Sequence, residues 1–112
     1  MIHRIDLLAT PPEPGALETE FVTGQKSLDM AERLARGCVA DVGEEGGEAL
    51  KRCRVEEVWY GEFRNVPARL VEKCYDPRGR TYSNLLAALK AIVNPNFAEG
   101  SLVTFVRLKP ID

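Results

Sequence analysis

The sequence predicts an α+β fold, a small curled or barrel-like sheet of five or six short strands with two or three helices inserted between them. Three observations predict it. Stretches rich in strand-favouring residues (IHRIDLL, CVADV, CRVEEVWYGEF and SLVTFVRLK) are short and are separated by proline- and glycine-rich turns. One stretch, SNLLAALKAIVNP, carries a clear helical stripe. The strands on either side of GEEGGE adjoin with no helix between them, which breaks the regular strand–helix alternation of a doubly wound parallel sheet. A chain of 112 residues suits one core, so residues 1–112 read as a single domain.

Residues 2–8 place Ile2, Ile5, Leu7 and Leu8 among polar side chains and predict a first strand, ended by ATPPEPG, whose prolines cannot continue a ladder. Residues 16–23 then predict a helix. Leu17, Phe21 and Val22 fall on one side, Glu18 and Glu20 sit early where carboxylates suit the positive helix end, and Gly24 supplies a left-handed stop. The next segment, KSLDMAERL, supports two readings. As a helix it is capped by Ser27 and stops at Gly37; as a strand it points Leu28 and Met30 one way and Ser27, Asp29, Ala31 and Arg33 the other. CVADV reads as a strand of a hairpin closed by GEEGGE. Residues 49–63 form the longest strand candidate, and VPARLVEKC a short helical turn with Pro67 near its start. DPRGR, residues 76–80, is a turn by composition. Residues 83–93 predict a helix capped by Ser83, with Leu85, Leu86, Leu89, Ile92 and Val93 on one stripe, and residues 101–109 a closing strand.

Composition narrows the function. Hydrophobic residues at 45% and charged residues at 29% are ordinary globular usage. A formal charge of −2 argues against a non-specific polyanion binder, whose affinity rests on many cations, while leaving room for a local basic patch. Cys38, Cys53 and Cys74 are odd in number and widely spaced, which matches neither a closed disulfide set nor a zinc site and suits a reducing, cytoplasmic setting. The N-terminal apolar run is too short for a signal peptide and no stretch approaches transmembrane length, so no membrane insertion is expected. His3 has no second ligand type nearby, so neither a metal nor another cofactor is expected.

In order and spacing, five pieces together resemble the ASCH family of the PUA-like RNA-binding superfamily. ALETEFVT runs into GQKS, which resembles the family's G-x-K-[TS] segment. RGCVADV stands at its glycine-led strand, CRVEEVWYGEF at its V-x-x-V with a following aromatic, and RTYSNLLAALKAIVNP with SLVTFVRLK at its closing helix and strand. The resemblance spans nearly the whole chain. It implies a PUA-like β-barrel and favours the strand reading of KSLDMAERL. It puts Lys26 on the family lysine, Ser27 on its Thr or Ser, and Asp29 on its acidic position. The family arginine falls on Ala31, a departure, with Arg33 about 7 Å further along the same strand face. Cys38 replaces the aspartate usual after the glycine.

The resemblance implies an RNA- or nucleotide-binding module, its ligand in a cleft beside the G-x-K-S segment. Lys26, Ser27, Asp29, Arg33, Arg78 and Arg80 are its expected binding residues. A lysine at the cleft would meet phosphate or a carbonyl, and the two arginines of DPRGR would pair phosphate, with Tyr75 and Tyr82 flanking to stack a base or, equally, to face the core. With so few cations, binding should be weak. A second reading is an amidohydrolase acting on an acylated, modified nucleoside. Two departures weigh against it: Asp29 stands at that type's hydroxyl position, and the stretch before the last helix holds Arg78 near the expected glutamate, with Asp76 the nearest carboxylate. No catalytic residue is therefore assigned, and the expectation leans away from an enzyme. A third reading, a small protein-binding or inhibitor domain, suits the acidic charge and the size.

Overall fold

The computed structural model describes residues 2–11, 13, 15–25 and 34–111. Its strands are β1 (His3–Leu7), β2 (Phe21–Gln25), β3 (Val39–Glu44), β4 (Ala49–Glu62) and β5 (Leu102–Pro110); its α-helices are α1 (Ala68–Val71) and α2 (Tyr82–Ile92). Short 3-10 turns occupy Phe63–Asn65 and Pro77–Gly79. The five strands make one mixed sheet in the order β1-β3-β4-β5-β2, with β1 parallel to β3 and the other pairs antiparallel. This is the α+β class that the strand lengths and turns imply.

Within the sheet β5 lies between β4 and β2. Val103, Thr104, Phe105, Val106 and Leu108 are all buried, so both faces of this strand are covered, as its near-continuous apolar run requires. Cross-strand partners share a face. On one, Leu108, Val106 and Thr104 stand beside Phe21, Thr23 and Gln25; on the other, Phe105 stands between Trp59 and Gly24 and meets Phe63. A register shift between Val55 and Glu57 re-aims the second half of β4 and brings Glu57 opposite Arg107. There Glu57 accepts from Arg69 of α1 and from Arg107, and Arg107 also pairs with Glu20 at 3.1 Å, so one carboxylate fixes α1 to the sheet. Those arginines, Arg69 foremost, hold the Glu57 carboxyl below its ordinary range.

Among the described residues the sheet is open, with β1 and β2 as its edges, where closure into a barrel was expected. It nevertheless curls far enough for Gln25 Nε2 to donate to Asp6 O at 3.2 Å, joining the two edge strands. The segment KSLDMAERL, apart from Leu34, lies outside the described residues, and Leu34 is buried.

Three local expectations are corrected. Residues 16–23 are not a helix: turns lead into β2, and Phe21 and Val22 are buried on opposite faces. Val22 N donates to Lys73 O at 2.8 Å and Tyr75 N to Val22 O at 3.0 Å, so pairing with β5 on one side and with residues 73–75 on the other overrides helical propensity. Gly24 is thus a strand residue; among the described residues positive φ occurs only at Gly37 and at Gly46, the latter in the β3–β4 hairpin turn. Finally, Thr81 rather than Ser83 caps α2, its side chain accepting from Asn84 N at 3.2 Å. The long strand, the Pro67-led turn of helix and the closing strand stand as expected. Among the described residues no helix is long and apolar enough to cross a membrane.

Candidate functional site

A narrow crevice of about 40 Å³ runs between α2 and the sheet. Leu8 and Ala9 leave β1 along one wall, Thr23 and Gly24 of β2 and Phe105 of β5 form another, and Leu85, Ala88, Leu89 and Ile92 of α2 close it. Cys74, Tyr75, Asp76 and Gly79 complete the lining. Two glycines keep it narrow yet open. A Cβ on Gly24 would come within 3.1 Å of Phe105 Cε1, and one on Gly79 within 3.2 Å of Cys74 Sγ and 3.3 Å of Leu85 Cδ1. The glycine of GQKS therefore sits where β2 packs closely against Phe105 beside the crevice.

Tyr75 braces this wall. Its hydroxyl donates to Ala9 O at 2.8 Å and accepts from Ala9 N at 3.1 Å, so the backbone of one residue satisfies both of its hydrogen-bonding functions. Burial pushes the phenol up to about 12. Cys74, also free and buried, has its thiol pushed up for the same reason, which makes it a poor nucleophile at neutral pH.

A broader groove of about 480 Å³ adjoins the crevice along α2, lined by Asp76, Arg78, Asn84, Ala87, Ala88, Ala91 and Ile92. Asp76, Ala88 and Ile92 belong to both depressions. At their junction Asp76 Oδ1 accepts from Arg78 N at 2.9 Å and Arg78 Nε at 3.0 Å, while Oδ2 accepts from Arg78 Nη2 at 2.8 Å. The Arg78 guanidinium, with Arg80 adding attraction, holds the Asp76 carboxyl below its ordinary range. Arg80 turns its Nε to Cys74 O at 2.9 Å, which ties the end of the DPRGR turn back to the crevice floor.

Of the residues singled out from sequence, Arg78 and Arg80 therefore sit together on one turn at the crevice. Lys26, Ser27, Asp29 and Arg33 lie outside the described residues; Gly24 and Gln25, which lead directly to Lys26, lie on β2. Tyr75 and Tyr82 take the core alternative: Tyr75 is buried against Ala9, and the Tyr82 ring packs 4.8 Å from that of Phe63. Trp59 leans on Phe105 while Tyr60 is exposed, as neighbours on a strand must divide. Sequence reasoning missed Leu8, Ala9 and Leu89 as crevice walls and Asp76 as the partner of Arg78. The i, i+2 placement of Asp76 and Arg78 across a proline was the available signal for the latter. Another buried polar group stands apart: Thr104 Oγ1 is fully enclosed and has no hydrogen-bond partner among the described residues. Among the described residues no three His, Cys, Asp or Glu side chains gather as metal ligands.

No family model matches the chain, and no curated protein matches it. Among solved structures, protein EF3133 from Enterococcus faecalis V583, of the family model DUF984, is similar to it with a TM-score of 0.55 and 16% identity. The similarity covers 84% of this chain and 62% of that one, so the chain spans under two thirds of its neighbour's length. At that identity the likeness concerns the fold alone.

Proposed function

We propose that the chain is an RNA- or nucleotide-binding module of the ASCH and PUA-like kind, receiving its ligand where the G-x-K-S segment meets the DPRGR turn. One observation carries this reading. Gly24, which opens GQKS, lines the same crevice as Asp76 and Gly79 of the turn that bears Arg78 and Arg80, although the two segments were singled out separately and lie far apart in sequence. Lys26 follows Gly24 by two residues in the sequence. The curl that joins Asp6 to Gln25 supports the PUA-like reading.

The test is titration of short single-stranded RNAs into the labelled protein. Amides around Lys26, Arg78 and Arg80 should shift with micromolar or weaker affinity. With two or three cations placed for phosphate, log affinity should fall against log salt with a slope of about −1.5 to −2, near 0.7 per contact. Lys26→Ala should weaken all strands alike if the lysine holds phosphate, and should change base preference if it reads a base edge. Silence at millimolar RNA would retire the reading in favour of a protein partner.

Hydrolysis of an acylated cytidine is the weaker alternative. Among the described residues the one carboxylate lining the crevice, Asp76, is clamped by Arg78 and held ionised, so it is a poor proton donor to a leaving group. An acylated cytidine incubated with the protein should remain intact; Lys26-dependent release of free acid at an enzymatic rate would overturn that expectation.

A further inference from the structure

Arg78 is exposed, its side chain at 73%, yet it is not a free charge. Asp76, only 16% exposed, takes the side edge of the guanidinium with both carboxylate oxygens and is itself fixed by the Arg78 backbone N–H. A guanidinium has five N–H donors. Three of them remain beyond the two that Asp76 engages, and two of those three form the outer end of the fork. Arg80 acts on the same carboxylate, so among the described residues of the turn two arginines and one aspartate leave a single net positive charge.

These facts pull apart two things an arginine supplies. Long-range attraction scales with net charge and acts on any polyanion, whereas a fixed planar fork rewards only an oxyanion in the correct orientation. We infer that Asp76 is a specificity-determining residue of this anion site: it cancels the indiscriminate attraction of Arg78 and holds the outer edge of the guanidinium as an oriented donor pair for one phosphate. The inference rests on the nucleic-acid reading for the identity of the preferred ligand. It does not rest on it for the effect of Asp76 on anions. It also accounts for how an acidic chain can keep an exposed arginine on a site without gathering every polyanion it meets.

The experiment compares the full chain with Asp76→Asn, using a short single-stranded RNA and linear inorganic polyphosphate across a range of salt. Asparagine keeps the shape and an acceptor for the Arg78 N–H but removes the charge. The variant should bind polyphosphate at least about threefold more tightly at low salt, its salt slope should steepen by up to about 0.7 for the cation released, and the preference for RNA over polyphosphate should fall. Unchanged slope and unchanged polyphosphate affinity in a variant with a native amide spectrum would overturn the inference. A second measurement reads the fork itself. The Arg78 Nε–H resonance of the unaltered protein should be resolved and slow to exchange, and Asp76→Asn should speed its exchange; a fast-exchanging signal in the unaltered protein would equally defeat the inference. The two failures are distinct: RNA that never binds removes the nucleic-acid reading, whereas polyphosphate indifferent to Asp76→Asn removes the role of Asp76.

Discussion

Phe63→Ala is expected to lower the unfolding free energy by about 3–5 kcal/mol, the range for deleting a large aromatic from a packed core. Phe63 is fully buried at the point where β4 breaks into a 3-10 turn. Its ring lies 4.8 Å from Tyr82 of α2, 5.7 Å from Phe97 and 6.5 Å from Phe105 of β5. Its backbone N–H donates to Ser101 O at 2.9 Å, so the same residue ties the end of β4 to the start of β5. Three segments converge on one side chain, and two of them, Tyr82 in α2 and Phe105 in β5, cannot advance into the space it leaves without abandoning their helix or strand. The cavity term should therefore be paid nearly in full. Denaturant unfolding checks this through a lower midpoint with an unchanged slope. A loss under about 1 kcal/mol would mean that the aromatic cluster collapses around the vacancy and that α2 is loosely held.

The sequence made some of this structure legible and hid the rest for physical reasons. β4, α2 and β5 are decided locally, by strand-favouring runs and by a stripe of leucines, and their positions follow from those patterns. β2 is decided elsewhere. FVTGQ is flanked by Glu18 and Glu20 in a helix-like setting, and only pairing with β5 and with Lys73–Tyr75, which no local window contains, makes it a strand. The cap of α2 was misplaced by two residues because Thr81 and Ser83 are both competent caps and the choice depends on how Tyr82 packs against Phe63. The site followed the same division. Arg78 and Arg80 were visible as cations on a glycine turn, but the neutralising role of Asp76 depends on the path of the 3-10 turn, and Gly24 passed for a helix stop when its function is to let Phe105 approach.

Tyr75→Phe should cost about 1–3 kcal/mol, more than an ordinary surface change, because it removes one oxygen that serves two part-buried backbone groups. Ala9 N and Ala9 O both lose the hydroxyl they share. The ring remains, so packing against the core is preserved and the loss reports hydrogen bonding alone. The crevice should feel it as well: Ala9 and Leu8 form one of its walls, and their amides should shift and exchange faster in the variant while those of β4 stay unchanged. Alkaline titration supplies an independent reading. The folded phenol is pushed up to about 12, whereas an unfolded tyrosine ionises near about 10, so the folded state holds this proton more tightly. The contribution of Tyr75 is accordingly complete below about pH 10 and disappears as pH rises through about 12, and the stability difference between Tyr75→Phe and the unaltered protein should narrow over that interval. A difference that stays constant to pH 12 would mean that the hydroxyl does not carry the link between residue 75 and the end of β1.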